Sequence, residues 1–91
     1  MYFSEDLIEE VRQKNDIVDV ISGYVKLQKK GSSYFGLCPF HNEKSPSFSV
    51  SRGKQMYYCF GCHASGNVYT FLMKYENDTF PEAIKILADR A

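Results

Sequence analysis

The chain has 91 residues and carries 11 basic and 11 acidic side chains. A single domain of this length buries an apolar core that only narrowly offsets the entropy lost on folding, so a metal or another cross-link is expected. Its three cysteines cannot all pair with one another, which argues against a disulfide framework. No apolar run is long enough for a signal peptide or a membrane span, and we therefore expect a cytoplasmic protein whose closely spaced cysteines bind metal.

Two short helices are predicted at the start of the chain. Ser4 precedes two acidic residues and an apolar stripe, which is typical of a capped helix with an acidic first turn. Asp16 has the same position before a second apolar segment, which Gly23 ends. We expect each helix to bury one face.

The apolar positions change to a period of two at residue 24, which predicts strands. Val25 and Leu27 alternate with polar neighbours in the first of these, and further strands are predicted over residues 33–37, 47–51 and 55–59. Glycine-containing turns over residues 30–32 and 52–54 separate them. The pattern predicts a small antiparallel sheet.

Helical spacing returns after residue 62. One helix is predicted over an apolar set with spacings of three and four, and a second begins at a capping box formed by Thr79 and Glu82. The apolar set of the first helix is Val68, Phe71, Leu72 and Tyr75, and the buried stripe of the second is Phe80, Ala83, Ile84 and Leu87. The predicted fold class is α+β, a small antiparallel β-sheet flanked by short N-terminal and C-terminal helices. Because the sequence stops within the last helix, we interpret residues 1–91 as one domain of a longer protein.

The cysteines form a pattern with one histidine that predicts a metal site. Cys38 and His41 are separated by two residues, seventeen residues follow, and Cys59 and Cys62 are again separated by two. Two such pairs, brought together by a hairpin, supply the tetrahedral set of soft and borderline ligands that zinc prefers. Four protein ligands leave no position for a reactive water, so the sequence predicts a zinc ribbon with a structural ion. Gly61 is expected to give the second turn a positive φ.

Three alternatives to this zinc site remain open on the sequence alone. Cys59 and Cys62 could form a redox dithiol, but that would leave the matching pair of Cys38 and His41 unexplained. An iron–sulfur cluster with one histidine ligand is a less common use of the same residues. His63 could replace His41, although adjacent residues such as Cys62 and His63 rarely bind one small ion together.

The middle of the chain concentrates positive charge and aromatic rings. Residues 24–62 contain six lysine or arginine residues against one acid, Glu43, and the acidic flanks cancel this excess. Rings beside lysines on a sheet suit the bases and phosphates of single-stranded nucleic acid. The competing interpretations are a solvated charged surface and rings that belong to the core. From the period of two we expect Phe48 and Val50 to be buried, and Tyr34 and Tyr57 to be exposed. Phe35 and Phe60 are also expected to be buried, because a domain this small needs them in its core.

Several motifs together resemble the N-terminal zinc-binding domain of bacterial replicative DNA primases, which carry a CHC2-type zinc ribbon. The resemblance spans almost the whole chain, and its most specific part is the run LCPFHNEKSPSF over residues 37–48, which Gly36 precedes. It also includes NDIVDVI over residues 15–21, YCFGC over 58–62, GNV over 66–68 with FL over 71–72, and FPEA over 80–83 with LA over 87–88. The chain departs from the family at Tyr58, where a histidine is frequent, and over residues 63–65, where glycines are usual.

The resemblance implies a function in starting DNA replication. A primase zinc domain binds a short initiation sequence on the single-stranded template and helps to start the RNA primer, while a separate domain with clustered carboxylates joins the ribonucleotides. This fragment is therefore not expected to be an enzyme by itself. Expected partners are the template, the polymerase domain in cis or in trans, and the replicative helicase through a C-terminal part absent from this sequence.

The implied template contacts are a set of lysine, arginine and tyrosine side chains: Lys30, Tyr34, Lys44, Arg52, Lys54 and Tyr57. Glu43 is expected to orient Lys44 rather than to bind DNA. Two rival functions remain open, a protein-interaction module that never contacts nucleic acid and an enzyme that uses its thiolates as nucleophiles.

Overall fold

A computed structural model describes residues 4–42 and 44–90, in which two helices precede and two follow the strands of one five-stranded sheet. The N-terminal helices are α1 (Glu5–Gln13) and α2 (Ile17–Ser22), and the C-terminal helices are α3 (Val68–Tyr75) and α4 (Phe80–Arg90). Between them lie β1 (Gln28–Lys30), β2 (Ser33–Gly36), β3 (Phe48–Ser51), β4 (Met56–Cys59) and β5 (Ser65–Gly66). The predicted α+β class is confirmed.

The predicted helix caps are present in the structure. The Ser4 hydroxyl accepts from the N–H of Leu7 at 3.1 Å, and the Asp16 carboxylate accepts from the first turn of α2. Thr79 and Glu82 form the reciprocal capping box, with the Thr79 N–H donating to the Glu82 carboxylate at 2.7 Å. The helices therefore begin where short polar side chains satisfy their free N–H groups. None of the helices in the described ranges has the length and apolar character needed to cross a membrane.

The first strand begins later than predicted. The N–H groups of Tyr24 and Val25 donate to the Ile21 carbonyl at 2.9 and 2.8 Å, so they complete the last turn of α2. Because these two donors are used, Tyr24 and Val25 cannot pair as a strand, and β1 begins only at Gln28. Val25 is buried nevertheless. The alternation at residues 24–28 thus reflected burial rather than strand pairing.

The sheet is an antiparallel meander in the order β1-β2-β3-β4-β5. Directly paired residues share a face, and consecutive residues of a strand lie on opposite faces. We call the face towards the helices the inner face; it carries Lys29, Tyr34, Gly36, Phe48, Val50, Tyr57, Cys59 and Gly66. The opposite, outer face carries Gln28, Lys30, Ser33, Phe35, Ser49, Ser51, Met56, Tyr58 and Ser65.

Aromatic packing joins the inner face to α3. The rings of Phe48 and Tyr57 are stacked with centroids 5.4 Å apart, and the Phe71 ring lies edge-on to Tyr57 at 5.7 Å. Phe40, from the turn that carries His41, packs on Phe71 at 5.6 Å. Since Phe48, Tyr57 and Phe71 are almost completely buried, the core extends directly to the metal-binding turns.

At two positions neighbouring atoms lie so close to the backbone that only glycine fits. A Cβ atom on Gly36 would lie 2.6 Å from the Lys26 carbonyl oxygen, and one on Gly66 would lie 2.5 Å from the Thr70 Cβ atom. Gly66 also has a φ of 155°. These contacts let the segment before β1 cross the end of β2, and let α3 begin directly beside β5.

Helix α4 buries a narrower stripe than predicted. Ala83, Ile84 and Leu87 are buried, but Phe80 is 37% exposed and packs edge-on against Tyr69. The prediction of a buried Phe80 is therefore wrong, because the first residue of the helix lies at the margin of the core.

Candidate metal centre and nucleic-acid interface

Four side chains converge where the two turns predicted to bind metal meet. The ligand atoms of Cys38, His41, Cys59 and Cys62 all lie within 4.8 Å of one another. The Sγ atoms of Cys38 and Cys62 are 3.8 Å apart, which is the edge of a tetrahedron around an ion that binds sulfur at about 2.3 Å. Three thiols and one imidazole therefore fit a single structural Zn²⁺ ion.

Each half of the metal centre is a turn after a strand that directs backbone N–H groups at sulfur. The N–H of Phe40 donates to the Cys38 Sγ atom at 3.5 Å, and the N–H of Gly61 donates to the Cys59 Sγ atom at 3.3 Å. Hydrogen bonds to sulfur stabilise the thiolate form, in which cysteine binds metal, and they hold the ligand in one orientation. The backbone thus prepares both turns for a cation.

The local surroundings separate the acidities of two of the thiols. Burial raises the pKa of Cys38 to about 12. Burial also raises the pKa of Cys59, but hydrogen bonds from the backbone N–H groups of Cys62 and Gly61 outweigh it and lower the pKa to about 7. Because a bound metal requires thiolates, zinc must displace the Cys38 proton, and acid pH opposes binding.

The second turn obtains its shape from His63 rather than from Gly61. Gly61 does not have a positive φ, whereas His63 has a φ of 66°. The His63 N–H donates to the Cys59 carbonyl at 2.8 Å, and its Nδ1 atom lies 2.7 Å from the Tyr58 hydroxyl. The prediction for Gly61 is therefore wrong, and the cluster of four ligands contains His41 and not His63.

A shallow cavity of about 480 Å³ lies on the outer face, on the side of the sheet away from the core. Small hydroxyl side chains form much of its floor, and rings and one cation stand at its rim. Its lining includes Ser49, Lys54, Met56, Tyr58, Phe60 and Ser65. The open floor, exposed rings and positive charge can accept an unpaired base together with its phosphate.

Two exposed rings dominate one end of this cavity. Phe60 is 63% exposed and Tyr58 is 37% exposed, and their ring centroids are 4.9 Å apart in an edge-to-face arrangement. The Phe60 N–H donates to the Ser47 carbonyl at 2.9 Å, so Phe60 continues the alternation of β4 and lies on the same face as Tyr58, two residues earlier. The predicted burial of Phe60 is wrong for this reason.

Comparisons with known proteins agree with this geometry. The family model described as the CHC2 zinc finger matches residues 3–91. The chain belongs to the CHC2 zinc-finger family. It is 57% identical over 90 residues to a DNA primase of Clostridium acetobutylicum, with 99% of this chain and 15% of that protein covered. It is 59% identical over 87 residues to a DNA primase of Geobacillus stearothermophilus, with 96% of this chain and 15% of that protein covered.

A solved structure shows the same fold in a relative. The crystal structure of the Aquifex aeolicus primase, containing its zinc-binding and RNA polymerase domains, superposes with a TM-score of 0.88 at 48% identity. The match covers 97% of this chain and 22% of that one. The chain thus corresponds to the zinc-binding domain of DNA primase, and it spans about 15% of the length of the curated relatives that it matches.

The lysines predicted to contact the template differ in their relation to the outer face of this CHC2 zinc finger. Lys54 lines the cavity, and Lys30 lies across from Ser33 on the outer face of the edge strand. Lys44 is exposed in the segment between the first metal-binding turn and β3. Glu43, predicted to orient Lys44, lies outside the described residues. Two of these three lysines are therefore placed on the face that carries the cavity.

The predicted exposure of both tyrosines is wrong. Tyr57 is only 1% exposed, and Tyr34 is half-buried opposite Val50 on the inner face. Phe35, which was predicted to be buried, lies half-buried on the outer face. A shift of one residue in the assumed alternation exchanges every side chain between the faces. Tyr57 therefore stabilises the core, and the ring available on this strand is Tyr58.

Arg52 is bound by acidic groups of α2. Its Nε atom lies 3.2 Å from a carboxylate oxygen of Asp16, and its Nη2 atom lies 3.3 Å from Asp19. The guanidinium carbon is 5.3 Å from the centroid of the Tyr34 ring. The Gln55 amide group also donates to Asp16 at 2.7 Å and accepts from the Ile17 N–H at 3.0 Å. These contacts fasten the β3–β4 turn to the start of α2.

The sequence contained a signal for the correct face of β4. Cys59 must point towards the metal, and Tyr57, two residues earlier, must share its face. Tyr58 is then directed away from the metal and the core, which is the observed arrangement. The metal ligand was thus a better guide to the orientation of β4 than the period of two taken alone.

Proposed function

We propose that this chain is the template-recognition domain of a longer DNA primase. In this proposal the outer face binds single-stranded DNA where an RNA primer begins, and a separate polymerase domain, in the same or a neighbouring molecule, joins the ribonucleotides. Catalysis, and contact with the replicative helicase, belong to parts beyond residues 1–91. The place of action is the bacterial replisome in the cytoplasm.

The outer-face cavity is the observation that carries this proposal. Tyr58 and Phe60 expose ring surface on which bases can stack, and Lys54 supplies a positive charge beside them. The serine side chains that line the cavity are short, so they leave room for a planar base to approach the sheet. Because Cys59 and Cys62 flank Phe60, the metal centre fixes the backbone that carries these rings. The ion thus supports DNA binding indirectly, by holding the surface in shape.

Affinity is expected to be modest. With few cations on the outer face, little counterion release drives association. We expect dissociation constants weaker than about 10 micromolar near physiological salt, in the range of non-specific binding by other proteins. Such weak binding suits a domain that acts beside a tethered polymerase domain, since tethering raises the effective concentration of the template.

The test is binding of a short fluorescent single-stranded DNA to the zinc-loaded chain, measured by anisotropy. Wild type is expected to bind, and Lys54→Ala is expected to bind more weakly. Lys85→Ala is the matched control, because Lys85 is an exposed lysine on α4 beside a different groove. Equal binding by wild type and Lys54→Ala would place the DNA elsewhere, and no binding by wild type would contradict the proposal.

A protein-interaction module is the second candidate function. Its support is an apolar groove of about 340 Å³ between α1 and α4, lined by Leu7, Val11, Pro81, Ile84 and Ala88. This groove is separate from the metal centre and the outer face, so the two functions can coexist. The DNA-binding experiment distinguishes them, because a chain that acts only through this groove would bind no single-stranded DNA.

A further inference from the structure

We propose that His63 is a positioning residue that holds the Tyr58 ring, and that Tyr58 and Phe60 together form a subsite for one unpaired nucleobase. The inference rests on the proposed function and deepens it, because it names the part of the outer face that binds a base. It assigns to His63 a role beside the metal centre that is not metal binding.

Tyr58 is held from two directions. Its hydroxyl oxygen lies 2.7 Å from the His63 Nδ1 atom, so the hydroxyl donates to that nitrogen in the tautomer that carries its proton on Nε2. The Phe60 ring contacts the Tyr58 ring edge-to-face, with centroids 4.9 Å apart. A ring fixed at its tip and along one side loses little further freedom when a base stacks on it.

The backbone at His63 adopts a conformation that favours this hydrogen bond. Its φ of 66° lies in the left-handed region, which glycine adopts freely and which asparagine, aspartate and histidine adopt more often than other side chains. The turn is closed by the Cys59 N–H, which donates to the Ala64 carbonyl at 2.8 Å. This closure returns the chain beside β4 and brings the His63 imidazole to the Tyr58 hydroxyl. The histidine therefore supplies a contact that glycine, although better suited to the backbone, cannot supply.

The neighbours of Tyr58 leave its ring accessible. Its partners on the adjacent strands are Ser49 and Ser65, and both line the outer-face cavity. Serine side chains are too short to cover a tyrosine ring, and their hydroxyls can donate to or accept from the edge of a base. Lys54 lines the same cavity and can meet a phosphate. A base with its phosphate is thus the ligand that these groups fit.

The experiment compares binding of a short single-stranded DNA with binding of an abasic strand of the same length. Three variants separate the contributions. His63→Gly keeps the positive φ but removes the hydrogen bond, His63→Asn keeps the positive φ and offers an amide oxygen to the hydroxyl, and Tyr58→Phe keeps the ring but removes the hydroxyl. Zinc content and thermal unfolding are measured for each variant, so that a folding defect is recognised.

We expect wild type to bind the base-containing strand about fivefold or more tightly than the abasic strand, as stacking of one base requires. His63→Gly and Tyr58→Phe should each reduce that preference about threefold to fivefold, the effect of one hydrogen bond, without changing abasic binding. The double variant should lose no more than either single variant, because both remove the same bond. His63→Asn should retain most of the preference.

The alternative outcomes are distinct. An unchanged preference in His63→Gly, with zinc retained, would overturn the positioning role. Equal binding of both strands by wild type would overturn the nucleobase subsite while leaving template binding through phosphates in place. No binding of either strand would contradict the proposed function itself. A purely structural role for His63 would lower zinc content or thermal stability and would reduce both kinds of binding equally.

Discussion

The two faces of the sheet divide two tasks between alternate residues of the same strands. On the inner face, Phe48, Tyr57 and Cys59 are at most 1% exposed and join the core to the metal centre. On the outer face, Met56 and Tyr58 are 47% and 37% exposed and line an open cavity. Neighbouring residues of β4 thus serve opposite purposes. Substitutions one position apart should therefore separate stability from DNA binding.

Of the changes considered, loss of the metal should have the largest effect on stability, because the metal centre holds the inner face together. Structural zinc contributes about 10–16 kcal/mol in small zinc domains, so His41→Ala is expected to lose or loosen the ion and to unfold much of the inner face. Native mass spectrometry for metal content, with circular dichroism before and after chelation, measures both effects. His63→Ala is the matched control and should retain one zinc per chain. Release of zinc by that control but not by His41→Ala would contradict the assigned ligand set.

A pair of phenylalanines tests the contrast between core and surface. Phe48→Ala, on the inner face, should lower the free energy of unfolding by about 3–5 kcal/mol, because a fully buried ring leaves a cavity. Phe60→Ala, at the end of the outer face, should change it by less than about 0.5 kcal/mol but should weaken binding of single-stranded DNA at least about fivefold. Urea denaturation and anisotropy provide the two readouts. A stable Phe48→Ala would show that the faces are assigned incorrectly.

Two cations of the β3–β4 turn should also differ. Lys54→Ala should reduce the slope of log affinity against log salt by about 0.7, the value for one contact with a single-stranded phosphate. Arg52→Ala should leave that slope unchanged and should lower stability by about 1 kcal/mol, since it removes partly exposed ion pairs to Asp16 and Asp19. Binding titrations at several salt concentrations decide this. A flatter slope in Arg52→Ala would make Arg52 a template contact after all.

The smallest expected effect is at Tyr57 and has the opposite sign. Its buried hydroxyl has no hydrogen-bond partner among the described residues, so Tyr57→Phe should raise the free energy of unfolding by about 1 kcal/mol. Burial also raises the pKa of this phenol from 10.0 to about 12. Because the unfolded chain ionises first, the stability of wild type should fall as the pH rises from 10 to 12.

Tyr57→Phe should therefore show a smaller alkaline loss of stability than wild type. Part of the loss should remain in the variant, because the hydrogen bond to Glu76 raises the pKa of Tyr24 to about 12 as well. Denaturation curves at neutral and alkaline pH measure the difference. A destabilised Tyr57→Phe would indicate that its hydroxyl has a partner outside the described residues.

Local chemistry made most of the fold predictable. Ser4, Asp16 and Thr79 were identified as helix caps because short oxygen-bearing side chains satisfy free N–H groups within three residues. The two-residue spacings likewise identified both metal-binding turns. The first strand was predicted too early because the donors at Tyr24 and Val25 bond to α2, a choice that depends on the preceding helix. The two-residue strand β5 was not predicted, since its pairing to β4 follows from the metal-binding turn between them.

The sequence by itself predicted the metal-binding pattern, the helix caps and the resemblance to primase zinc domains, because spacing and capping depend on neighbouring residues. Only the tertiary structure decided which rings face outward and which cations are engaged. Alternation along a strand defines two sets of residues but does not say which set is buried. The packing of Phe71 against Phe48 and Tyr57 made that choice, and it left Tyr58 on the outer face. The engagement of Arg52 by Asp16 and Asp19 likewise arises from residues more than thirty positions away in the chain, which local pattern cannot relate.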